Sequence, residues 1–191
     1  MKNEFLKRIL SSVALIAIAF FFIIKGSIFF NFFILVVLTI TLYEWHFLSL
    51  KKIYYLPGFI FIIFSLYTCY VFRNEGDYKI FLLILITCIS TDIGGYVFGK
   101  ILKGPKLTKI SPNKTYAGMI GSFLLSIISA SLYFNNLSFF SLSKTDGELG
   151  IQIMIIVLLI SFVSQSGDLV ISFFKRKSKI KNTSNIIPGH G

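Results

Sequence analysis

Two aspartates inside long apolar segments are the side chains that most strongly indicate chemistry in this 191-residue sequence. Asp92 precedes Lys100 by eight residues, which is about 12 Å along a helix. Asp168 precedes Lys175 by seven residues, or about 10 Å. A carboxylate in a membrane-spanning helix is costly and usually faces a polar cavity. Two carboxylates at one depth, each followed by lysines, indicate a divalent-cation site beside bound phosphate, and Mg²⁺ suits this donor set.

Asp92 also has a structural interpretation, in which it pairs with a lysine of another helix. Gly94, Gly95 and Gly99 follow it closely and predict a place where another helix, or a ligand, approaches the backbone. Both interpretations require a close neighbour on this side of the helix.

The segment at residues 100–115 is basic and predicts a phosphate site. Ser111 and Pro112 predict the start of a helix, and the positive end of a helix dipole favours anions. An ordinary helix cap among lysines that mark the cytoplasmic side is the alternative. The candidate phosphate ligands are the polar residues around this predicted start, Ser111, Asn113, Lys114 and Thr115.

A second basic segment, residues 175–191, follows Asp168. Ser172 lies four residues after Asp168, on the same side of a helix, where Lys175 and Arg176 begin. The sequence contains no Walker A loop or dinucleotide-binding glycine motif, so phosphate binding would depend on lysines, helix ends and metal.

Six apolar segments of membrane-spanning length position these side chains. The composition is 55% hydrophobic and 14% charged, with a mean hydropathy of +0.80. The segments cover residues 9–24, 28–45, 53–72, 78–99, 116–139 and 149–174. We predict an all-α, polytopic integral membrane helical bundle of about six transmembrane helices, forming one membrane-embedded domain over residues 1–191.

The net charge of +11 reflects membrane topology rather than nucleic-acid binding. Most of the 19 lysines and arginines fall in alternate loops. The positive-inside rule then places both termini, and both basic segments, in the cytoplasm. Binding to anionic lipid is a second use for this charge. Glu44 and His46, beside Tyr43 and Trp45, are interpreted as interfacial residues at the cytoplasmic end of the second span.

Two motifs resemble one enzyme family. The first motif consists of Ser172, Lys175, Arg176, Lys181, Pro188, His190 and Gly191. Its spacing resembles the signature of the phosphatidate cytidylyltransferases (CDP-diacylglycerol synthases). The second is Ser-Pro-Asn-Lys-Thr at residues 111–115, which is similar to the family's Ser-Pro-Lys/Asn-Lys-Thr element after an aspartate-bearing span. The first span and the end of the second span are similar to the family as well.

The resemblance implies an enzyme that transfers CMP from CTP to phosphatidic acid, giving CDP-diacylglycerol and pyrophosphate. It implies a bacterial-type inner membrane, a site facing the cytoplasm, and Mg²⁺ held by Asp92 and Asp168. Lys175 and Arg176 would complete the catalytic set. The implied substrate-binding residues are Ser111, Asn113, Lys114, Thr115, Ser172, Lys181 and His190. CTP, phosphatidic acid and membrane lipid are the expected partners, with a homodimer as a further candidate and no nucleic acid.

Three departures from the family pattern concern acidic groups. Asn182 follows Lys181 where the family usually has aspartate, and Ala117 precedes Gly118 where it usually has glutamate. The family pattern also continues beyond Gly191 into a further acidic cluster. We therefore expect an incomplete family member with severely weakened metal binding that is inactive alone.

Two other classes of protein remain as alternatives. A small ion or proton transporter would need acids on a route that reaches both faces, but Asp92 and Asp168 both lie towards one face. A non-catalytic membrane protein would use its basic loops to bind anionic lipid or a partner. Thermal stabilisation by CTP would separate the enzyme from both.

Overall fold

The structure, a computed structural model, describes residues 2–50, 52–108, 110–134 and 146–178. Side chains are described from residue 11 in the first helix and from residue 150 in the last. This part of the chain contains six helices. The helices are α1 (Lys2–Lys25), α2 (Ser27–Ser49), α3 (Tyr55–Glu75), α4 (Tyr78–Leu102), α5 (Tyr116–Tyr133) and α6 (Asp146–Lys177). Within these ranges the structure has no strand, and Lys106 and Thr115 form an isolated antiparallel bridge. The all-α prediction is confirmed.

Five helices are long and apolar enough to cross a membrane, so the chain is a polytopic membrane protein. They are α2, α3, α4, α5 and residues Gly150–Lys177 of α6, counted over the described residues. The remaining predicted span, at residues 9–24, falls on α1, whose described apolar part, Ser11–Lys25, is shorter than a span. The fifth predicted span ran to residue 139, whereas α5 ends at Tyr133 and residues 135–145 lie outside the described residues.

The chain divides into two compact units. The amino-terminal unit comprises Met1–Phe81 together with Phe174–Gly191, and the central unit comprises Leu82–Phe173. Helix α4 therefore begins in the amino-terminal unit, and α6 ends in it. The single domain over residues 1–191 stays a prediction.

Arg73 joins the ends of three helices in the amino-terminal unit. Its Nε donates to the Ile23 carbonyl of α1 at 2.7 Å, and its guanidinium lies 5.8 Å from the Phe30 ring and 5.4 Å from the Tyr78 ring. Gly26, between α1 and α2, has a φ of 62°, and a Cβ there would lie 2.5 Å from Arg73 Nη2. A glycine is therefore required at this junction.

Glycines bring α4 and α5 close together in the central unit. A Cβ on Gly94 would lie 2.6 Å from the Gly121 carbonyl oxygen, and one on Gly118 would lie 2.7 Å from the Gly95 carbonyl oxygen. Ser122 of α5 donates to the Thr91 carbonyl of α4 at 2.7 Å. The close approach predicted from the glycines after Asp92 is confirmed, and the neighbour is α5.

Helix α6 packs on the same helices through apolar and hydroxyl contacts. Leu83, Ala130 and Val157, one from each of α4, α5 and α6, form a buried cluster. Closer to the aspartates, Thr91 Oγ1 lies 2.9 Å from Ser161 Oγ of α6, and both residues are buried. Hydrogen bonds between membrane helices contribute about 0.6 kcal/mol each on average, so packing and hydroxyl contacts together set the position of α6.

Candidate functional site

A cleft of about 280 Å³ in the central unit contains most of the predicted site residues. Its walls come from α4, the loop after α4, the start of α5 and the middle of α6. The predicted residues that line it are Asp92, Ser111, Asn113, Lys114, Thr115 and Asp168. The prediction from spacing alone, that the two aspartates lie at one depth, is consistent with their presence in one cleft.

Two of the lining residues, Lys114 and Asp168, form an ion pair. Lys114 Nζ lies 2.9 Å from Asp168 Oδ2, and the two side chains are 29% and 55% exposed. A pair this exposed contributes little to stability. The structural interpretation paired Asp92 with a lysine; in the structure Lys114 contacts Asp168, and Asp92 lines the same cleft. Lys114 can therefore exchange its carboxylate partner for a bound anion at small energetic cost.

The loop between α4 and α5 folds back on itself, which brings Lys114 to the cleft. The Ser111 carbonyl accepts from the Lys114 amide at 3.0 Å, closing a β-turn with Pro112 and Asn113 at its centre. The Leu107 amide then donates to the Lys114 carbonyl at 2.7 Å. The prediction that Ser111 and Pro112 begin a helix is wrong, because proline and asparagine here form a turn instead.

Helix α5 begins at Tyr116, with Thr115 as its N-cap. Thr115 Oγ1 accepts from the Gly118 amide at 3.1 Å, and the Tyr116 amide donates to the Pro105 carbonyl at 3.2 Å. Two of the first three helix amides already have partners, so anion binding here would depend on the helix dipole and nearby side chains. The hydroxyl proton of Thr115 is not used in its cap bond, so it can be donated to a ligand.

Three polar residues that line the cleft were missed by the sequence analysis. Thr91, Ser122 and Gln165 line it beside the aspartates, and Gln165 Nε2 lies 3.5 Å from Ser161 Oγ. The available signal was the spacing of Ser161, Gln165 and Asp168, which are four and three residues apart and share one helix face. This face gives the cleft neutral hydrogen-bonding groups at membrane depth.

The predicted residues on the carboxyl-terminal side have other places. Ser172, although on α6 with Asp168, is not among the residues that line the cleft. Lys175 and Arg176 belong to the last turn of α6, in the amino-terminal unit. The helix continues through Lys177, where the sequence analysis expected the span to end at residue 174. Lys181 and His190 lie outside the described residues, as does Asn182.

The donor set of the cleft fits Mg²⁺. Its described lining contains two carboxylates, Asp92 and Asp168, and one cationic side chain, Lys114. No group of three or more His, Cys, Asp or Glu side chains suited to a metal occurs in the part of the chain that the structure describes. Mg²⁺ typically takes one or two protein carboxylates and completes its shell with water and substrate phosphates. With two carboxylates and one lysine, the lining has one more formal negative than positive charge, and a bound cation would reduce its repulsion of a phosphate.

Apolar helices of spanning length around a cleft with two carboxylates and one lysine define a polytopic membrane protein with a site suited to a metal and an anion. The cytidylyltransferase family model matches residues 52–191. A phosphatidate cytidylyltransferase of Rickettsia typhi is 31% identical over 100% of this chain and 84% of its own length. The chain belongs to the cytidylyltransferase family.

Two further relatives carry the same name. The phosphatidate cytidylyltransferase of Rickettsia bellii is 37% identical over 78% of this chain and 65% of its own length. That of Staphylococcus aureus strain COL is 40% identical over 64% of this chain and 44% of its own length. No solved structure matches the chain.

Proposed function

We propose that this chain transfers CMP from CTP to phosphatidic acid, giving CDP-diacylglycerol and pyrophosphate. The observation that supports this most is the single cleft that gathers Asp92, Asp168 and Lys114 in a member of the cytidylyltransferase family. The relatives' name supplies the substrate, and the cleft supplies groups suited to a polyphosphate and its metal.

In the proposed reaction, a phosphate oxygen of phosphatidic acid attacks the α-phosphorus of CTP. The bond from that phosphorus to the oxygen of the β-phosphate breaks, and pyrophosphate leaves with the electron pair. The attacking phosphate is already ionised at neutral pH, so the site needs no strong base. Catalysis then depends on positioning and on neutralising charge in the transition state.

Asp92 and Asp168 would hold Mg²⁺ at the membrane end of the cleft. When bound there, Mg²⁺ would neutralise phosphate oxygens and the leaving pyrophosphate. Lys114 would leave Asp168 for a phosphate oxygen as the nucleotide binds. That exchange would cost little energy, because the ion pair is partly exposed to solvent.

Neutral donors around Lys114 would orient the phosphates. Ser111, Asn113 and Thr115 line the cleft from the turn and the start of α5. Their hydroxyl and amide protons can be donated to phosphate oxygens. Lys175, Arg176, Lys181, Ser172 and His190 are proposed as further substrate-binding residues on the family resemblance.

We further propose that the cleft opens on the cytoplasmic side of a bacterial-type inner membrane. The support is the alternation of lysine-rich and lysine-poor loops, which favours the basic segments inside. A soluble nucleotide and a membrane lipid can meet at that interface. The homodimer stays a prediction, which the mass of the chain in nanodiscs would test.

The test is the formation of labelled lipid from CTP. The purified chain in nanodiscs that contain phosphatidic acid receives CTP labelled at its α-phosphate, and Mg²⁺ is titrated over a wide range because metal binding is expected to be weak. Lipid-soluble label that disappears on chelation and in Asp92→Asn would support the proposal and overturn the expectation, drawn from the three departures, that the chain is inactive alone. Absence of label together with absence of CTP-dependent thermal stabilisation would contradict the proposal and favour the transporter or the non-catalytic lipid-binding protein.

A further inference from the structure

Aromatic side chains hold the end of α6 in the amino-terminal unit. We term the set Trp45, Tyr54, Phe174, Lys177 and Ser178 the aromatic clasp. The Phe174 ring centroid lies 4.8 Å from that of Tyr54 and 5.6 Å from that of Trp45. Trp45 and Tyr54 are themselves 6.0 Å apart, with an edge-to-face arrangement. Such pairs contribute about 0.5–1.5 kcal/mol each beyond their burial, so the contact is specific as well as apolar.

A hydrogen-bonded chain completes the clasp. Ser178 Oγ donates to the Leu48 carbonyl at 2.8 Å and lies 2.7 Å from Tyr54 Oη. Because the one hydroxyl proton of Ser178 goes to Leu48, the Tyr54 hydroxyl donates to Ser178. The Lys177 ammonium also lies 5.4 Å from the centre of the Tyr54 ring. Tyr54 therefore contacts α6 through its ring face, its ring packing and its hydroxyl.

The part of the clasp that comes from α2 and α3 is firmly packed. Trp45 is 8% exposed, and its Nε1 donates to the Tyr55 carbonyl at 3.0 Å. Ser49, which is fully buried, donates to the Trp45 carbonyl at 2.6 Å. A Cβ on Gly58 would lie 1.9 Å from the Trp45 ring, so the indole fills the space that this glycine leaves.

Two cations of the carboxyl-terminal motif lie between clasp contacts. Lys175 and Arg176 follow Phe174 directly and precede Lys177 and Ser178. The Ser178 amide donates to the Phe174 carbonyl at 2.9 Å, so this last turn is closed and held at both ends. The backbone of both cations is consequently fixed by contacts that neither of their side chains makes.

We propose that Tyr54 is a positioning residue, which through Ser178 and Phe174 fixes the orientation of the last turn of α6 and with it Lys175 and Arg176. The placement of these two cations against substrate phosphates rests on the proposed function, whereas their fixation by Tyr54 does not. Tyr54 lies outside both motifs that resemble the family.

The first test measures side-chain mobility without any turnover. A nitroxide is attached to Arg176→Cys in a chain that also carries Cys69→Ser and Cys88→Ser, since those are the two cysteines of the sequence. We expect Tyr54→Phe and Ser178→Ala each to narrow the lines of the nitroxide's electron paramagnetic resonance spectrum, because the labelled side chain becomes more mobile. The matched control is Tyr43→Phe, because Tyr43 is 53% exposed on α2 and its ring packs against Phe47 of the same helix. Lines that are unchanged by Tyr54→Phe, or equally narrowed by Tyr43→Phe, would overturn the proposal.

The second test asks whether Tyr54 acts through the cations. Loss of the hydroxyl is expected to raise KM for CTP by about threefold to tenfold with a smaller change in kcat, the effect of about one hydrogen bond. In a chain that already carries Lys175→Ala and Arg176→Ala, Tyr54→Phe should have almost no further effect on KM. Additive effects would show that Tyr54 acts elsewhere and would contradict the proposal. If no variant turns over while the nitroxide lines narrow as expected, the proposed function fails and the positioning role stands.

Discussion

The ends of α4 and α6 present their lysines in two different ways. Helix α4 ends at Leu102, and the positive φ angles of Lys103 and Gly104, 54° and 92°, turn the chain back. Residues after this turn return to the cleft, where Lys114 contacts Asp168. The cation therefore comes from a loop and reaches an aspartate of another helix.

Helix α6 has no such turn within its described length. It continues through Lys177, and its three basic residues occupy the last turn, where they stabilise the negative end of the helix dipole. Lysine and arginine are good helix formers, so a run of them extends a helix rather than ending it. The lysines after α4 therefore lie in a loop because Lys103 and Gly104 turn the chain, whereas those after Phe174 extend α6 because no such turn precedes them.

Substitution of the two aspartates that line the cleft should lower kcat/KM more than any other change. Asp92→Asn and Asp168→Asn should each lower kcat/KM by more than about 100-fold, since even loss of an outer partner of a metal ligand lowers activity by about 10- to 100-fold. Formation of labelled lipid from CTP measures this. Asp77→Asn is the matched control, because Asp77 lies between α3 and α4 and accepts from the Lys79 amide. Equal losses in all three variants would indicate general damage rather than a metal site.

The two lysine clusters should differ in their effect on Mn²⁺ binding when each loses one positive charge. Lys114→Met and Lys175→Met should each lower kcat/KM for CTP by about 10- to 100-fold, the loss of a hydrogen bond to a charged group. Lys114→Met should also strengthen Mn²⁺ binding in the absence of CTP, because Asp168 loses its cation. Titration of Mn²⁺ should show no such gain for Lys175→Met. Lys52→Met, at an exposed site after α2, serves as the control for charge alone.

The α4–α5 contact is sensitive to one methyl group. Gly118→Ala should destabilise the chain by about 1–3 kcal/mol, because its Cβ would meet the Gly95 carbonyl oxygen. Gly167→Ala, on α6, has open space around the added Cβ and should be neutral or slightly stabilising. Unfolding in detergent, followed by circular dichroism, compares the two. A loss in Gly167→Ala as large as that in Gly118→Ala would refute the close approach.

The smallest effect is expected at the start of α5. Thr115→Ala removes the cap on the Gly118 amide and should cost about 1 kcal/mol, whereas Thr115→Ser keeps the hydroxyl and should cost less. The same unfolding measurement resolves this difference. Equal stability of Thr115→Ala and the parent chain would show that the cap contributes nothing.

Hydropathy predicted most of the fold, because length and apolarity define a span directly. That Asp92 and Asp168 share a depth stays a prediction, from helical rise and the positions of the flanking lysines, and their presence in one cleft is consistent with it. Gly94 and Gly95, which lie on α4, correctly indicated that another helix approaches α4 closely, and that helix is α5. These are properties that a helix carries in its own sequence.

What the sequence could not predict depends on contacts between distant segments. The start of α5 was placed too early because Pro112 and Asn113 suit both a helix start and a turn, and the Leu107 pairing with Lys114 decides between them. The aromatic clasp joins Tyr54 to Ser178, which are 124 residues apart. No local pattern indicates such a partner.

The central claim is that Asp92 and Asp168 serve one metal site in one cleft. The most direct test is Mn²⁺ binding, as a substitute for Mg²⁺, measured by electron paramagnetic resonance on the chain in nanodiscs with CTP. We expect that Asp92→Asn or Asp168→Asn alone removes the CTP-dependent Mn²⁺ and that the double variant loses no more. If each single variant keeps part of the bound Mn²⁺ and only the double variant loses it all, the two aspartates belong to separate sites and the proposal of one shared metal site is wrong.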